Sequence, residues 1–165
     1  MIRAITTGTG TLMVPAHPRV LAHMVTPRRH RDPGYARAIA GEIYGGTMRQ
    51  HPERAAEVLH AHTRLGPRRG YYYQLAAGAG WSSLPLLRMI KQPTLVIAGD
   101  DDPIIPSVNP RLMARLIPEA CLHLYSGGHL ALVTEADELA PVVEHFLDRA
   151  GADTRSSSRT AGRAR

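Results

Sequence analysis

The sequence predicts an α/β fold on three observations. Residues 94–98, TLVIA, are an unbroken apolar run that stops at the charged turn GDDDP. Residues 120–125, ACLHLY, are a second strand-like stretch that stops at SGGH, and a helical pattern succeeds each of the two. An apolar run without alternation marks a parallel strand covered on both faces. Strand, helix, strand, helix with turns at the strand ends is the α/β arrangement, whose ligand crevice lies at the carboxyl ends of the strands.

From the N-terminus, residues 2–5 are a short apolar stretch entering TTGTGTLMVP, which reads as the end of a strand running into a glycine-rich loop. Residues 15–91 read as mainly helical. Tyr35, Ile39 and Ile43 recur every four residues in a helix over 32–44. Pro52 stands at the first position of a helix over 52–65, with Ala55, Val58, Leu59 and His62 on one face. A third helix spans 70–79, ended by the glycines at 78 and 80, and a short one spans 84–90. After the strand at 94–98, Pro110 opens a helix behind Asn109 as its cap. After the strand at 120–125, Thr134 and Asp137 have the spacing of a capping box. The helix they open presents Leu139, Val142, Val143, Phe146 and Leu147 as a stripe to lay against a sheet.

A net charge of +6 raises nucleic-acid binding, but its placement argues against it. Residues 151–165 hold four arginines against one aspartate, so +3 of the total lies in a tail without leucine, isoleucine, valine or an aromatic residue. That composition predicts disorder. Arg28, Arg29, His30 and Arg31 form a second basic cluster, without aromatic interleaving, which reads as a solvated loop rather than an anion-facing patch. The lone Cys121 excludes an internal disulfide, and its apolar, alternating surroundings predict a core residue. No stretch approaches the roughly 20 apolar residues of a membrane helix, and the first residues make a poor signal peptide. The expected location is the cytoplasm.

Two strand-end loops carry the groups with chemistry, GDDDPIIP over 99–106 and GGH over 127–129. A carboxylate and an imidazole on neighbouring strand ends can meet, so that the carboxylate fixes the ring tautomer and the ring takes a proton from a nucleophile. Taken singly, Asp100 and Asp101 fit solvated turn residues, Asp102 fits a bond to its own loop amides, and His129 fits a loop residue. Metal chemistry is not expected: no H-E-x-x-H occurs, and His60 and His62 have no carboxylates set around them. No cofactor is expected either, since the glycines at 8 and 10 lack the G-x-G-x-x-G spacing.

The segments VIAGDDDPIIP and IPEACLHLYSGGHL resemble the last two strands of an α/β-hydrolase, in which the acid follows a glycine by three positions. That resemblance implies Asp102 as the catalytic acid and His129 as the base. PRVLAHMVTPRRH, EIYGGTMRQHPE and RGYYYQLAAGAGWSSLPLL narrow it to the intracellular medium-chain-length polyhydroxyalkanoate depolymerases, over about residues 3–148. The implied fold class is α/β, the C-terminal part of an α/β-hydrolase: the last three strands of the parallel part of the sheet with a helical lid insertion. The implied divisions are a remnant of the core at 1–14, a helical lid at 15–91, the C-terminal part of the core at 92–150 and a basic tail at 151–165. Tyr71, Tyr72, Tyr73 and Trp81 in the lid are implied contacts for an aliphatic polyester, with lid packing as their ordinary role.

The departure from that family concerns the nucleophile. No G-x-S-x-G occurs in the 165 residues; Ser82, Ser83, Ser107 and Ser126 all lack the strand-to-helix setting of a nucleophile elbow. With the elbow go the oxyanion-hole donors, each worth about 3 kcal/mol of transition-state stabilisation. The expectation is a fragment of an ester hydrolase, inactive alone, whose substrate would be a polyester once the missing part completes it. Storage granules are the location the resemblance adds to the cytoplasm. An open sheet edge is expected to favour self-association. The alternatives are an α/β-hydrolase acting on another small or lipid-like ester, or a non-catalytic partner protein.

Overall fold

The computed structural model describes residues 4–6, 14–61 and 66–161. At its centre are three parallel strands, β1 (Ala4–Thr6), β2 (Thr94–Gly99) and β3 (Ala120–Tyr125), in the order β1-β2-β3. Thr94 pairs with Ala4 on one side and Ala120 on the other, and Gly99 pairs with Tyr125. All six residues of β2 are buried, as an apolar run in a central parallel strand should be. The glycine-rich segment at 7–13, His62 and residues 162–165 lie outside the described residues.

Between β1 and β2 the chain is helical. α1 (Pro18–Met24), α2 (Pro33–Tyr44), α3 (Glu53–Ala61) and α4 (Arg68–Ala79) are joined with 3₁₀ turns over Pro27–His30, Gly46–Arg49 and Leu84–Met89. Asp32 caps α2, its Oδ1 accepting from Tyr35 N at 2.9 Å, and Pro33 supplies the first helical position. The predicted four-residue spacing has a physical outcome: Ile39 and Ile43 are buried with Ala40, Tyr44, Met48 and Ala55, and Tyr35 and Leu59 close the cluster. Ile104 and Leu130, which flank the two strand-end loops, pack against this same cluster. The helical segment is therefore fastened to the loops that carry Asp102 and His129. A second cluster, Leu87, Val96, Met113 and Ile117, lies between β2, α5 (Val108–Leu116) and the 3₁₀ turn Leu84–Met89.

Four local expectations are corrected. Asn109 does not cap α5, whose N-cap is Ser107. Its buried amide instead bonds the backbone of Val14 in both directions, Oδ1 accepting from N at 3.1 Å and Nδ2 donating to O at 2.8 Å. Thr134 is the last residue of α6 (Ala131–Thr134), and its hydroxyl bonds back to Leu130 O at 3.2 Å, so it is not free to cap the next helix. Cys121 is exposed. Successive side chains of a strand point to opposite faces: Ala120 and Leu122 point at the cluster with Met113 and Ile117, and Cys121 points the other way. Arg29 is buried rather than solvated, because the 3₁₀ turn Pro27–His30 directs it at Tyr71.

Residues 135–165 are a separate unit built on α7 (Ala136–Ala161). Leu139 is buried, Val142, Val143 and Phe146 are half-buried, and Leu147 is exposed. The helix continues to Ala161, into the segment whose composition predicts disorder. Once a helix is nucleated each added residue gains one hydrogen bond at small cost, and alanine and arginine are good helix formers.

Candidate active site

The pairing of Gly99 with Tyr125 makes β2 and β3 end side by side, and the loops after them are stitched together at once. Asp100 N donates to Tyr125 O at 3.0 Å and Asp101 N to Gly127 O at 3.1 Å. Gly127 N donates in return to Asp100 Oδ1 at 3.2 Å. Beyond this seam the loop turns back over Asp102, whose Oδ1 accepts from the amides of Ile104 at 2.8 Å and Ile105 at 2.9 Å. A short side chain bonded to its own backbone two and three residues on is a rigid local turn. It leaves Oδ2 to face one partner, His129 Nδ1, at 2.9 Å.

The histidine is held as firmly. Its backbone N donates to Tyr44 O at 2.7 Å, and its ring stacks on that of Tyr44 with centroids 6.4 Å apart and planes 24° apart. The Asp102 side chain is 8% exposed and that of His129 31%, so the carboxylate is shielded while the ring keeps an open side. With Nδ1 donating to the carboxylate, Nε2 is the nitrogen left to accept a proton. A buried carboxylate behind such a ring stabilises the imidazolium that forms when it does.

Asp101, between these two aspartates, has a third task. Its Oδ2 accepts from Gly46 N at 2.7 Å and Arg49 Nε at 2.8 Å, and its Oδ1 accepts from Arg49 Nη2 at 2.8 Å. The Arg49 hydrogen bonds, with Gly46 N and the Arg49 charge, hold its carboxyl below the usual range despite partial desolvation. The approach depends on the two glycines that end α2. Gly45 has φ +61° and Gly46 φ +47°, where side chains are disfavoured. A β-carbon on Gly45 would collide with Asp101 O, and one on Gly46 with the Gly128 amide.

Of the residues singled out from sequence, Asp102 and His129 are brought together. Tyr71 is half-buried, its hydroxyl donating to Met24 O and accepting from Arg29 Nη1 at 3.0 Å. Tyr72, Tyr73 and Trp81 are exposed. Sequence reasoning missed Tyr44, Arg49 and Arg29. The helix-ending IYGG was the available signal for Tyr44, since two glycines in a row after an apolar helix imply close backbone approach. For Arg49 no pattern was available, and Arg29 stood in a basic cluster that reads as a solvated loop. Among the described residues no three His, Cys, Asp or Glu side chains gather to hold a metal ion.

This architecture, two strand-end loops presenting an acid and a histidine under a helical segment, matches a family model described as alpha/beta hydrolase fold over residues 27–136. The chain belongs to that family. Within these hydrolases it is 49% identical over 144 residues to a poly(3-hydroxyalkanoate) depolymerase of Ectopseudomonas oleovorans, a match covering 87% of this chain and 50% of that protein. A shorter match, 39% over 67 residues, is to a 2-hydroxymuconate semialdehyde hydrolase of Pseudomonas putida; it covers 40% of this chain and 24% of that protein. Among solved structures, a meta-cleavage product hydrolase of Pseudomonas fluorescens superposes with a TM-score of 0.67 at 19% identity, covering 90% of this chain and 56% of that one. The expected fold, the C-terminal part of an α/β-hydrolase with its helical insertion, is the one found. The chain spans half the length of the depolymerase it matches.

Proposed function

We propose that this chain supplies the acid and the base of a serine ester hydrolase that cleaves polyhydroxyalkanoate. His129 acts as general base and then general acid through Nε2, and Asp102 orients it. The observation that carries the reading is the 2.9 Å contact between His129 Nδ1 and Asp102 Oδ2, with the other carboxylate oxygen fixed by two amides. The 49% identity to the depolymerase supports the substrate class. Residues 15–91 are the lid, with Tyr71, Tyr72, Tyr73 and Trp81 as contacts for the aliphatic polyester. The cytoplasmic face of a polyester granule is where such an activity would work. No helix among the described residues is long and apolar enough to cross a membrane.

Because no G-x-S-x-G occurs in the sequence, the chain alone lacks an attacking serine and is inactive. In this reading a preceding half, with its strands added alongside β1, brings the nucleophile and oxyanion donors to His129. The test is complementation. The chain is co-expressed with the N-terminal half of the depolymerase it resembles, and turnover of a medium-chain p-nitrophenyl ester and of the polymer is measured. Turnover by the pair alone, lost with His129→Ala, is the expected result. Ester turnover by the isolated chain, or full activity of the H129A pair, would overturn it.

A further inference from the structure

A cavity of about 550 Å³ lies between the 3₁₀ turn Pro27–His30 and α4, lined by Pro27, Arg29, His30, Arg31, Tyr71 and Leu75 among others. Its unusual member is Arg29, only 8% exposed. Among the described residues its guanidinium makes no ion pair. Nη1 donates to the Tyr71 hydroxyl and Nε has no partner there. Withdrawing a full charge from water is costly unless an opposite charge meets it. A neutral phenol and a ring contact at 5.8 Å are weak compensation.

The neighbours are suited to an anion. The Tyr44 hydroxyl is buried beside the Arg29 guanidinium. Burial pushes this phenol up against the opposing charge and hydrogen bond of Arg29, so it stays protonated at neutral pH. Burial, then Arg29 and His60, lowers His30, which keeps the imidazole neutral. Arg31 also borders the cavity, its Nη2 donating to Gly66 O, another lining group, at 2.7 Å. Among the described residues Arg29 and Arg31 both border the cavity, and of the two only Arg29 is withdrawn from water; Pro27, Leu75 and the Tyr71 ring form the apolar wall. Tyr44, beside Arg29, stacks its ring on His129 of the pair described above.

We infer that this cavity binds the carboxylate of an aliphatic acid, with Arg29 as the partner of the carboxylate and the apolar wall receiving the alkyl chain. A planar guanidinium fork matches a carboxylate in two parallel bonds, and the apolar wall beside it suits an alkyl acid better than inorganic phosphate. That the acid is a 3-hydroxyalkanoate, the free end of the polyester or the released monomer, rests on the proposed function; the carboxylate site itself does not.

The test uses the full chain and needs no catalysis. 3-Hydroxydecanoate, its methyl ester and inorganic phosphate are titrated in by calorimetry, and the Arg29 Nε–H resonance is monitored by NMR. The acid is expected to saturate the site and shift that resonance, with the ester about tenfold or more weaker, as loss of a charged hydrogen bond requires. Arg29→Met should abolish binding; Arg29→Lys, which keeps the charge and so guards against a folding defect, should weaken it. Equal affinity for acid and ester, undiminished binding by either variant, or phosphate binding as tightly as the acid would overturn the site. Acid binding with failed complementation would leave the site standing and remove the polyester reading.

Discussion

Arg49 grips Asp101 with two parallel hydrogen bonds of 2.8 Å, Nε to Oδ2 and Nη2 to Oδ1, and so ties the turn after α2 to the loop that carries Asp102. The side chains are 51% and 44% exposed, which limits the pair to about 1 kcal/mol after solvent screening. Its pH dependence has a definite sign. The folded carboxyl is held below the ordinary 3.8, so its contribution is present above that value and is lost as pH falls through the lower folded value. Urea unfolding of Arg49→Ala should therefore show a deficit of about 1 kcal/mol at pH 7 that closes at the acid end. A deficit unchanged at low pH would mean that Arg49 stabilises by packing instead.

Two glycine-to-alanine changes should act in opposite directions. Gly46, at φ +47°, would carry its new methyl into the Gly128 amide beside His129. Strain of this kind costs about 1–3 kcal/mol. Gly70 sits in the first turn of α4 with nothing within 4 Å of an added β-carbon. Alanine there should stabilise by up to about 1 kcal/mol through helix propensity. Thermal melts of G46A and G70A should shift down and up; a downward shift for both would refute the placement of α4.

The strand-end chemistry was legible because it is local. An apolar run stopped by a polar or glycine-rich turn fixes where a strand ends, and two such ends one helix apart bring a carboxylate of residues 100–102 near His129; that it is Asp102 was implied by the family resemblance. The partners of these loops were not legible. Arg49 is 52 positions from Asp101 and Arg29 is 42 from Tyr71, and a lone arginine has no periodicity that announces its mate. Asn109 and Thr134 were misjudged for another reason. Both are good caps by type, yet each found a nearer or better-buried backbone partner, which composition does not reveal.

Cys121 shows the same gap for a strand. Alternation assigns side chains to two faces but does not say which face is covered, and the thiol stands on the exposed one. Ellman's reagent should therefore titrate one thiol in the native chain, without denaturant and at a rate close to that of the unfolded protein. A thiol that reacts only in urea would return Cys121 to the core.

The hydrogen bond between His129 and Asp102 makes the sharpest prediction, because it can be read without turnover. With Oδ1 occupied by the amides of Ile104 and Ile105, only Oδ2 faces the ring, and a carboxylate oxygen can only accept. The neutral imidazole must therefore carry its proton on Nδ1. In Asp102→Asn the amide oxygen is the better partner for the two backbone donors, which turns the NH₂ group toward His129. The ring then has to accept at Nδ1 and moves its proton to Nε2, the nitrogen that must stay free to act as base. Two-bond ¹⁵N–¹H correlation spectra should show this change of tautomer in the isolated chain. In the complemented enzyme the same substitution should lower turnover by about 10⁴, the cost of the wrong tautomer in other hydrolytic triads. A D102N chain that keeps the proton on Nδ1 would show that something other than Asp102 sets the histidine.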